Sequence, residues 1–321
     1  MSTKAGGVLF RMGYYFYSNT RLGYYYHKRN IEKAKALFSN GHSITTPHVC
    51  NGLQIVPIAL IEDNYSYLIV DDESKTAVVV DPSDASVVQA VIETEGVNLK
   101  AILTTHKHWD HSGGNSELKS KYPDLLVYGS NVDNVPALTN NLNDGEQFTV
   151  GCLKFTARFT PGHTIGHTIY ILDASRYQSP GHVFTGDLLF MAGTGRMFES
   201  SAMEMLQSLD KVCELADDTF IWPGHEYAKS NLTFVQHIEP SNDKVKKKLD
   251  WVIEQRKERK MTIPSTLKEE MEYNPFLRTH TESILEIVGL KIDDECKDKE
   301  AIRAKALEEL RTRKDKYSYK L

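Results

Sequence analysis

At 321 residues with 40% apolar side chains, the chain is long enough for one substantial core and a smaller appended unit, and collagen-like, low-complexity and wholly disordered classes are excluded. The formal net charge of −5 hides an asymmetry: residues 1–31 carry five basic side chains (Lys4, Arg11, Arg21, Lys28, Arg29) and no Asp or Glu, which leaves −10 for the remainder. Mixed charge over the body, with no basic stripe, argues against nucleic acid as a partner.

The first segment, 6–26, is aromatic and glycine-rich but interrupted by Arg11 and Arg21, so it is not the continuous apolar run that a bilayer span needs. An acid-free, Arg-containing, aromatic N-terminus suits a mitochondrial targeting segment or an interfacial anchor. We therefore expect residues 1–47 to be an N-terminal extension, with a mitochondrial or cytoplasmic location and peripheral membrane association through residues 1–31. From Leu53 onward, short β-like runs at 54–61, 65–70 and 76–81 alternate with turn chemistry and read as a meander. An amphipathic helix is expected at 85–95, then an apolar strand at 100–105 that runs straight into His106, then a helix at 115–121. Further strands are expected at 153–159, 168–172, 183–185 and 219–222, each ending beside a Gly, His or Asp. Strand ends are where mixed α/β folds place their chemistry. After Tyr227 the β-branched clusters stop, and helical spacing at 243–260 and 299–316, broken by Pro264 and Pro275, predicts an all-helical appendage over 228–321. The four cysteines, Cys50, Cys152, Cys213 and Cys296, are scattered without a C-x-x-C pair, so each is expected to be a buried small hydrophobe in a reducing compartment.

The strongest signal is Thr105-His106-Lys107-His108-Trp109-Asp110-His111, which places three of only 12 histidines within six positions. On a loop leaving a strand, His106 and His108 can face one point while Asp110 and His111 turn toward a second. Imidazole and carboxylate donors in this mixture suit Zn, Fe or Mn better than Ca or Mg. Three later segments each place a ligand-type residue directly after a glycine: Gly162-His163, Gly186-Asp187 and Gly224-His225. Glycine allows the tight turn that lets such a side chain enter a crowded cleft.

The T-H-x-H-x-D-H run with the later Gly-His, Gly-Asp and Gly-His positions resembles the metallo-β-lactamase superfamily. The segments Pro264-Ser265-Thr266-Leu267, Tyr273-Asn274-Pro275-Phe276-Leu277-Arg278 and Gly224-His225-Glu226-Tyr227 are similar to its glyoxalase II branch, the hydroxyacylglutathione hydrolases. The resemblance implies an α/β fold, the four-layer αβ/βα metallo-β-lactamase sandwich over 48–227, followed by a C-terminal helical substrate-binding domain. It also implies two divalent metal ions, zinc in the first place with iron or manganese as alternatives. His106, His108 and His163 would hold one ion, Asp110, His111 and His225 the other, and Asp187 would bridge them, with Asp110 also taking a catalytic role. Two cations sharing a water lower its pKa and provide hydroxide for attack on a carbonyl. A thiolate leaves more readily than an amine, so hydrolysis of a thioester, glutathione-linked in this branch, is the expected reaction.

In glyoxalase II the glutathione moiety is held by a Lys and a Tyr of a glycine-rich loop, by the Tyr after the last His ligand, and by an Arg and a Lys near the C-terminus. The corresponding loop here reads Gly193-Thr194-Gly195-Arg196-Met197-Phe198-Glu199, so Arg196 replaces the Lys and Phe198 the Tyr, whereas Tyr227, Arg311 and Lys314 match. Arg196 keeps the charge as a planar fork, and the hydroxyl at 198 is lost. Two other readings remain open: a persulfide dioxygenase-like oxidoreductase, and a membrane-associated interaction protein with weak hydrolase activity.

Overall fold

The computed structural model describes residues 8–291 and 298–318, so the expectations attached to Lys4 and Cys296 lie outside the described residues. Two helices open the chain, α1 (Val8–Asn19) and α2 (Arg21–Leu37). Thr20 separates them, and its side chain accepts the Leu22 N–H as the N-cap of α2. The strands β1 (His48–Cys50), β2 (Leu53–Leu60), β3 (Asn64–Asp71) and β4 (Thr76–Val80) follow as an antiparallel meander. Helix α3 (Ala85–Glu95), capped by the Asp84 carboxylate and ended by a left-handed Gly96, leads to β5 (Asn98–Leu103). Next come α4 (Trp109–Ser112), α5 (Asn115–Lys121), β6 (Leu126–Gly129) and β7 (Asn140–Asn141), and β4 to β7 run parallel. These strands make one seven-stranded sheet in the order β1 to β7.

The second half builds β8 (Gln147–Val150), β9 (Leu153–Phe159), β10 (Thr168–Asp173), β11 (His182–Gly186), the small hairpin β12 (Leu189–Phe190) and β13 (Gly193–Thr194), α6 (Ala202–Cys213) and β14 (Phe220–Pro223). The chain ends in α7 (Ala228–Ile238), α8 (Asp243–Lys257), β15 (Ser265–Thr266), α9 (Leu267–Tyr273), α10 (Glu282–Val288) and α11 (Lys299–Ser318). The second sheet has the order β15-β14-β11-β10-β9-β8. Between the sheets lies an aromatic core containing Tyr67, Phe155, Tyr170, Phe184 and Trp222. The outer face of the first sheet buries Val88, Ile92 and Leu118 of α3 and α5, and the outer face of the second buries Leu209, Ile284 and Leu307 of α6, α10 and α11. The layers are therefore helix, sheet, sheet, helix, the αβ/βα sandwich with a helical C-terminal region.

Three expectations need correction. The tail is not all-helical, because Ser265 and Thr266 pair antiparallel with Ile221 and Phe220 and add an edge strand before Thr266 caps α9. Two residues are too few to show a period in sequence. The histidine-rich loop contains a one-turn helix, α4, whose His111 and Ser112 amides bond back to the His108 carbonyl. None of the three described cysteines is buried: Cys50 and Cys213 are half-buried at the ends of β1 and α6, and Cys152 is exposed in the turn between β8 and β9. All three are free thiols. No helix among the described residues is long and apolar enough to cross a membrane.

Candidate metal centre

The site lies along one edge of the sandwich, where β4, β5, β9, β11 and β14 deliver their following loops. His106 and His108 leave β5, His163 follows β9, Asp187 follows β11 and His225 follows β14. His106 Nε2 and His163 Nε2 lie 2.9 and 3.0 Å from His108 Nδ1, so three imidazole nitrogens face one point. A second group unites Asp110, His111 and His225, with His111 Nε2 and His225 Nε2 3.2 Å apart. A third set, His106, His111 and Asp187, joins the two groups. Asp187 Oδ2 lies 3.3 Å from His163 Nε2, while Oδ1 lies 3.2 Å from His111 Nε2 and 3.3 Å from His225 Nε2. The structure thus brings all seven sequence-predicted residues together, with one Asp187 oxygen toward each group.

Two backbone close approaches make this convergence possible. Gly186 has φ +46°, and a Cβ there would stand 2.6 Å from Thr105 Oγ1. A Cβ on Gly224 would stand 2.7 Å from both Asp187 Oδ1 and His111 Cε1.

The residues fit cations. Asp187 Oδ1 is buried and accepts no well-directed hydrogen bond, the kind of orphaned oxygen that a bound ion satisfies. Burial, with the charge of neighbouring histidines adding to it, pushes His106 and His108 well below the ordinary His range, so each is a neutral imidazole with one ring nitrogen free to donate a lone pair. On the other side burial opposes the charge, yet Asp187 and then Asp81 raise His111 to about 10. Burial likewise opposes ionisation of Asp110, but His111 and His225 hold it well below the usual carboxylate range. Asp110 therefore stays ionised near neutrality and has no proton to give as an acid.

Each ligand-type imidazole is oriented through its other nitrogen, as metal-binding histidines require. His111 Nδ1 meets Asp81 Oδ2 at 2.9 Å, His225 Nδ1 meets Asp63 Oδ1 at 2.8 Å, His163 Nδ1 meets the Arg196 carbonyl at 2.9 Å, and His106 Nδ1 meets Thr105 Oγ1 at 3.0 Å. Asp81 also accepts the Thr105 N–H at 2.7 Å, tying the end of β4 to the histidine loop. His167, held neutral by burial, accepts the Asp187 N–H at 3.2 Å. Asp133 accepts from the Lys107 and Gly166 amides and from Thr164 Oγ1, and so links the loops bearing His108 and His163. Sequence reasoning missed Asp63, Asp81, Asp133 and His167. Asp81 ends a predicted strand, but its positive φ of 49° was invisible in sequence.

Two more missed residues come from α1. Tyr14 Oη lies 2.9 Å from His108 Nε2 and donates to Glu199 Oε1 at 2.9 Å, and Glu199 also pairs with Lys107 Nζ at 2.6 Å. Tyr17 Oη donates to Asp110 Oδ1 at 3.0 Å, and the Trp109 indole N–H donates to the Tyr17 carbonyl at 2.8 Å.

The residues predicted to touch substrate divide into two groups. Arg196, Tyr227, Arg311 and Lys314 line one cavity of about 250 Å³ that opens onto Asp187. Arg311 and Lys314 are only 9% and 5% exposed, so they are not a solvated helix face. Arg311 donates to the Thr194 carbonyl at 2.8 Å, Lys314 to the Ser230 carbonyl at 2.7 Å, and Asp315 accepts from both Arg196 and Arg311. Phe198 stands outside that cavity, against Tyr14 and His163 with ring centroids 4.8 and 5.0 Å away. The Tyr227 ring stacks on His225 at 4.7 Å. Buried Glu270 and Asn274 reach back to the β12–β13 hairpin, Glu270 accepting the Ala192 N–H at 2.9 Å and Asn274 donating to the Phe190 and Gly193 carbonyls. The tail motifs thus brace the loop that carries Arg196.

Two family models cover this architecture, the metallo-beta-lactamase superfamily over residues 62–225 and the hydroxyacylglutathione hydrolase C-terminus over residues 226–317. A protein described as hydroxyacylglutathione hydrolase cytoplasmic, from Arabidopsis thaliana, is 43% identical over 241 residues, 74% of this chain and 93% of that protein. The chain belongs to the metallo-β-lactamase superfamily, in its hydroxyacylglutathione hydrolase branch. A hydroxyacylglutathione hydrolase-like protein of Gallus gallus is 37% identical over 266 residues, 83% of this chain and 90% of its own. In fold, the chain is similar to a metallo-beta-lactamase from Staphylococcus aureus subsp. aureus COL, with a TM-score of 0.53, 24% identity, and coverage of 75% of this chain and 67% of that one. The protein is accordingly a metal-dependent hydrolase with the His and Asp clusters of a two-metal site. Neither family model reaches α1 or α2.

Proposed function

We propose that this hydroxyacylglutathione hydrolase relative cleaves a thioester whose thiol portion is anionic, with glutathione as the best fit. The observation that carries this reading is the cationic cavity of Arg196, Arg311 and Lys314, which opens onto Asp187 at the centre of the His and Asp clusters. Two guanidinium groups, Arg196 and Arg311, share one carboxylate, Asp315, which leaves net positive charge for a peptide carboxylate.

In this reading His106, His108 and His163 would hold one divalent ion and Asp110, His111 and His225 a second, with Asp187 available to both. Ions held there lower the pKa of water and polarise a carbonyl. The chain's own contribution is orientation. Asp81, Asp63, Thr105 and the Arg196 carbonyl fix the imidazole planes, and the cationic cavity places the thiol portion so that the carbonyl sits over Asp187. Ionised Asp110 is a ligand and an electrostatic partner, not an acid, and a thiolate leaving group needs little acid help.

The test is metal content and lactoylglutathione turnover on one purified sample. Two metals per chain with chelator-sensitive release of thiol are expected. A fully metallated protein that leaves glutathione thioesters intact, or that consumes oxygen with glutathione persulfide, overturns the reading.

A further inference from the structure

A second cavity, of about 610 Å³, meets the cationic one at Asp187 and Tyr227. Its character is opposite. Tyr14, Phe16 and Tyr17 of α1, Leu22 and Tyr26 of α2, and Phe198 of the loop after β13 form most of its wall, and its floor is the metal centre, with His108, Asp110, Asp187 and His225. The helix pair is fastened over that floor rather than hanging beside it. Tyr14 reaches His108 and Tyr17 reaches Asp110, one residue from each metal-ligating group. The Tyr17 carbonyl is held as well, by the Trp109 indole N–H. His27 of α2, itself buried, bonds the Ser83 carbonyl at 2.9 Å. The Tyr14 ring lies on Phe198 at 4.8 Å, so an aromatic pair stands where the loop approaches the centre.

The wall is nevertheless unfilled on its open side. Phe16, Leu22 and Tyr26 remain 47%, 67% and 58% exposed. Apolar side chains grouped around such a floor, and left partly in water, are stabilised when an apolar group covers them.

We propose that α1 and α2 are part of the active site and form an acyl chamber, so that the preferred substrate is an anionic thioester carrying a large apolar or aromatic acyl group rather than a small hydroxyacyl one. Asp187 and Tyr227 line both cavities. A thioester extended across them puts its charged thiol portion among Arg196, Arg311 and Lys314, its carbonyl at the centre, and its acyl chain under α1. This inference rests on the thioesterase reading, and it adds what that reading leaves open, the acyl group. Water attack on the carbonyl carbon breaks the carbon–sulfur bond, giving a carboxylate, a thiol and one proton to solvent, and no other co-reactant is required.

The experiment compares phenylacetyl- and lactoylglutathione as substrates of the full-length metallated protein, and S-benzyl- and S-methylglutathione as non-cleavable ligands by calorimetry. The aromatic member of each pair is expected to be favoured by about tenfold or more in kcat/KM and in affinity. In Phe16→Ala and Leu22→Ala, both at exposed positions, that ratio is expected to shrink toward one. In Tyr14→Phe, which keeps the ring, the ratio is expected to persist. Equal constants for both members overturn the chamber even if both thioesters are cleaved. A benzyl preference in a protein that cleaves neither thioester supports the chamber and sinks the thioesterase reading. Binding of the full chain to phospholipid vesicles, lost in Phe16→Ala, together with no aromatic preference, identifies the wall as a membrane face instead and overturns the proposal.

Discussion

The two cavities that meet at Asp187 are walled by opposite ends of the chain, and they are built on different physics. The C-terminal wall buries charge: Arg311 and Lys314 are almost wholly covered and are held by the Thr194 and Ser230 carbonyls and by Asp315. The N-terminal wall exposes aromatics and is fastened by hydroxyl and indole hydrogen bonds to the metal loops. Buried charge must be partnered in detail, because an unpaired buried ion is costly, so the side chains of the cationic cavity are fixed by their partners. Apolar contact is non-directional, so the aromatic wall imposes no comparable requirement on the direction of its contacts.

The largest effect is expected at the floor shared by both cavities. Asp187→Asn should remove metal and lower turnover by on the order of 10³-fold or more. A variant that keeps two metals and full turnover would show that Asp187 is not the bridge. Next, Arg311→Met should raise KM for an anionic thioester by about 10- to 100-fold, the worth of a charge-assisted hydrogen bond, and leave an uncharged thioester much less affected. Equal losses on both substrates would mean that Arg311 only supports the fold.

The third expectation concerns pH. Burial first, and the Arg311 charge second, lower the Lys314 ammonium from 10.5 to about 7. An anion beside it favours the protonated form, so KM for the anionic thioester should rise as pH climbs through about 7, and Lys314→Arg should flatten that rise. The stability effect runs the other way. Between about 7 and 10.5 the unfolded chain holds the proton and the folded chain does not, so this group's cost to the fold is greatest below 7 and fades as pH rises. A pH-independent KM would remove Lys314 from anion binding. The smallest effect is expected for Phe198→Tyr, within about threefold in KM, because residue 198 faces the aromatic wall and Tyr14 already places a hydroxyl on His108. A tenfold fall would return residue 198 to the cationic side.

The ligand-type residues were legible because they sit in short, dense motifs beside glycines, and donor type alone narrows the chemistry. The regular elements were legible for a similar reason: Ala85–Glu95 carries its own Asp84 cap and Gly96 stop, and Leu153–Phe159 alternates buried and outward side chains. The two-residue strand at Ser265 carries no period, and the exposed position of Cys152 depends on a turn that only the pairing of β8 with β9 creates.

From the sequence alone came the family, through dense local motifs, and with that resemblance the seven converging residues and the positions of Arg311 and Lys314. Only the tertiary structure decided that Asp81 and Asp63 orient His111 and His225, that Phe198 faces away from the cations, and that Tyr14 and Tyr17, 94 and 93 residues from their partners, lie on the metal loops. Local patterning reports which face of an element is buried. It does not report which distant element covers that face, because long-range packing depends on shape and hydrogen bonds that form only when the whole chain has folded.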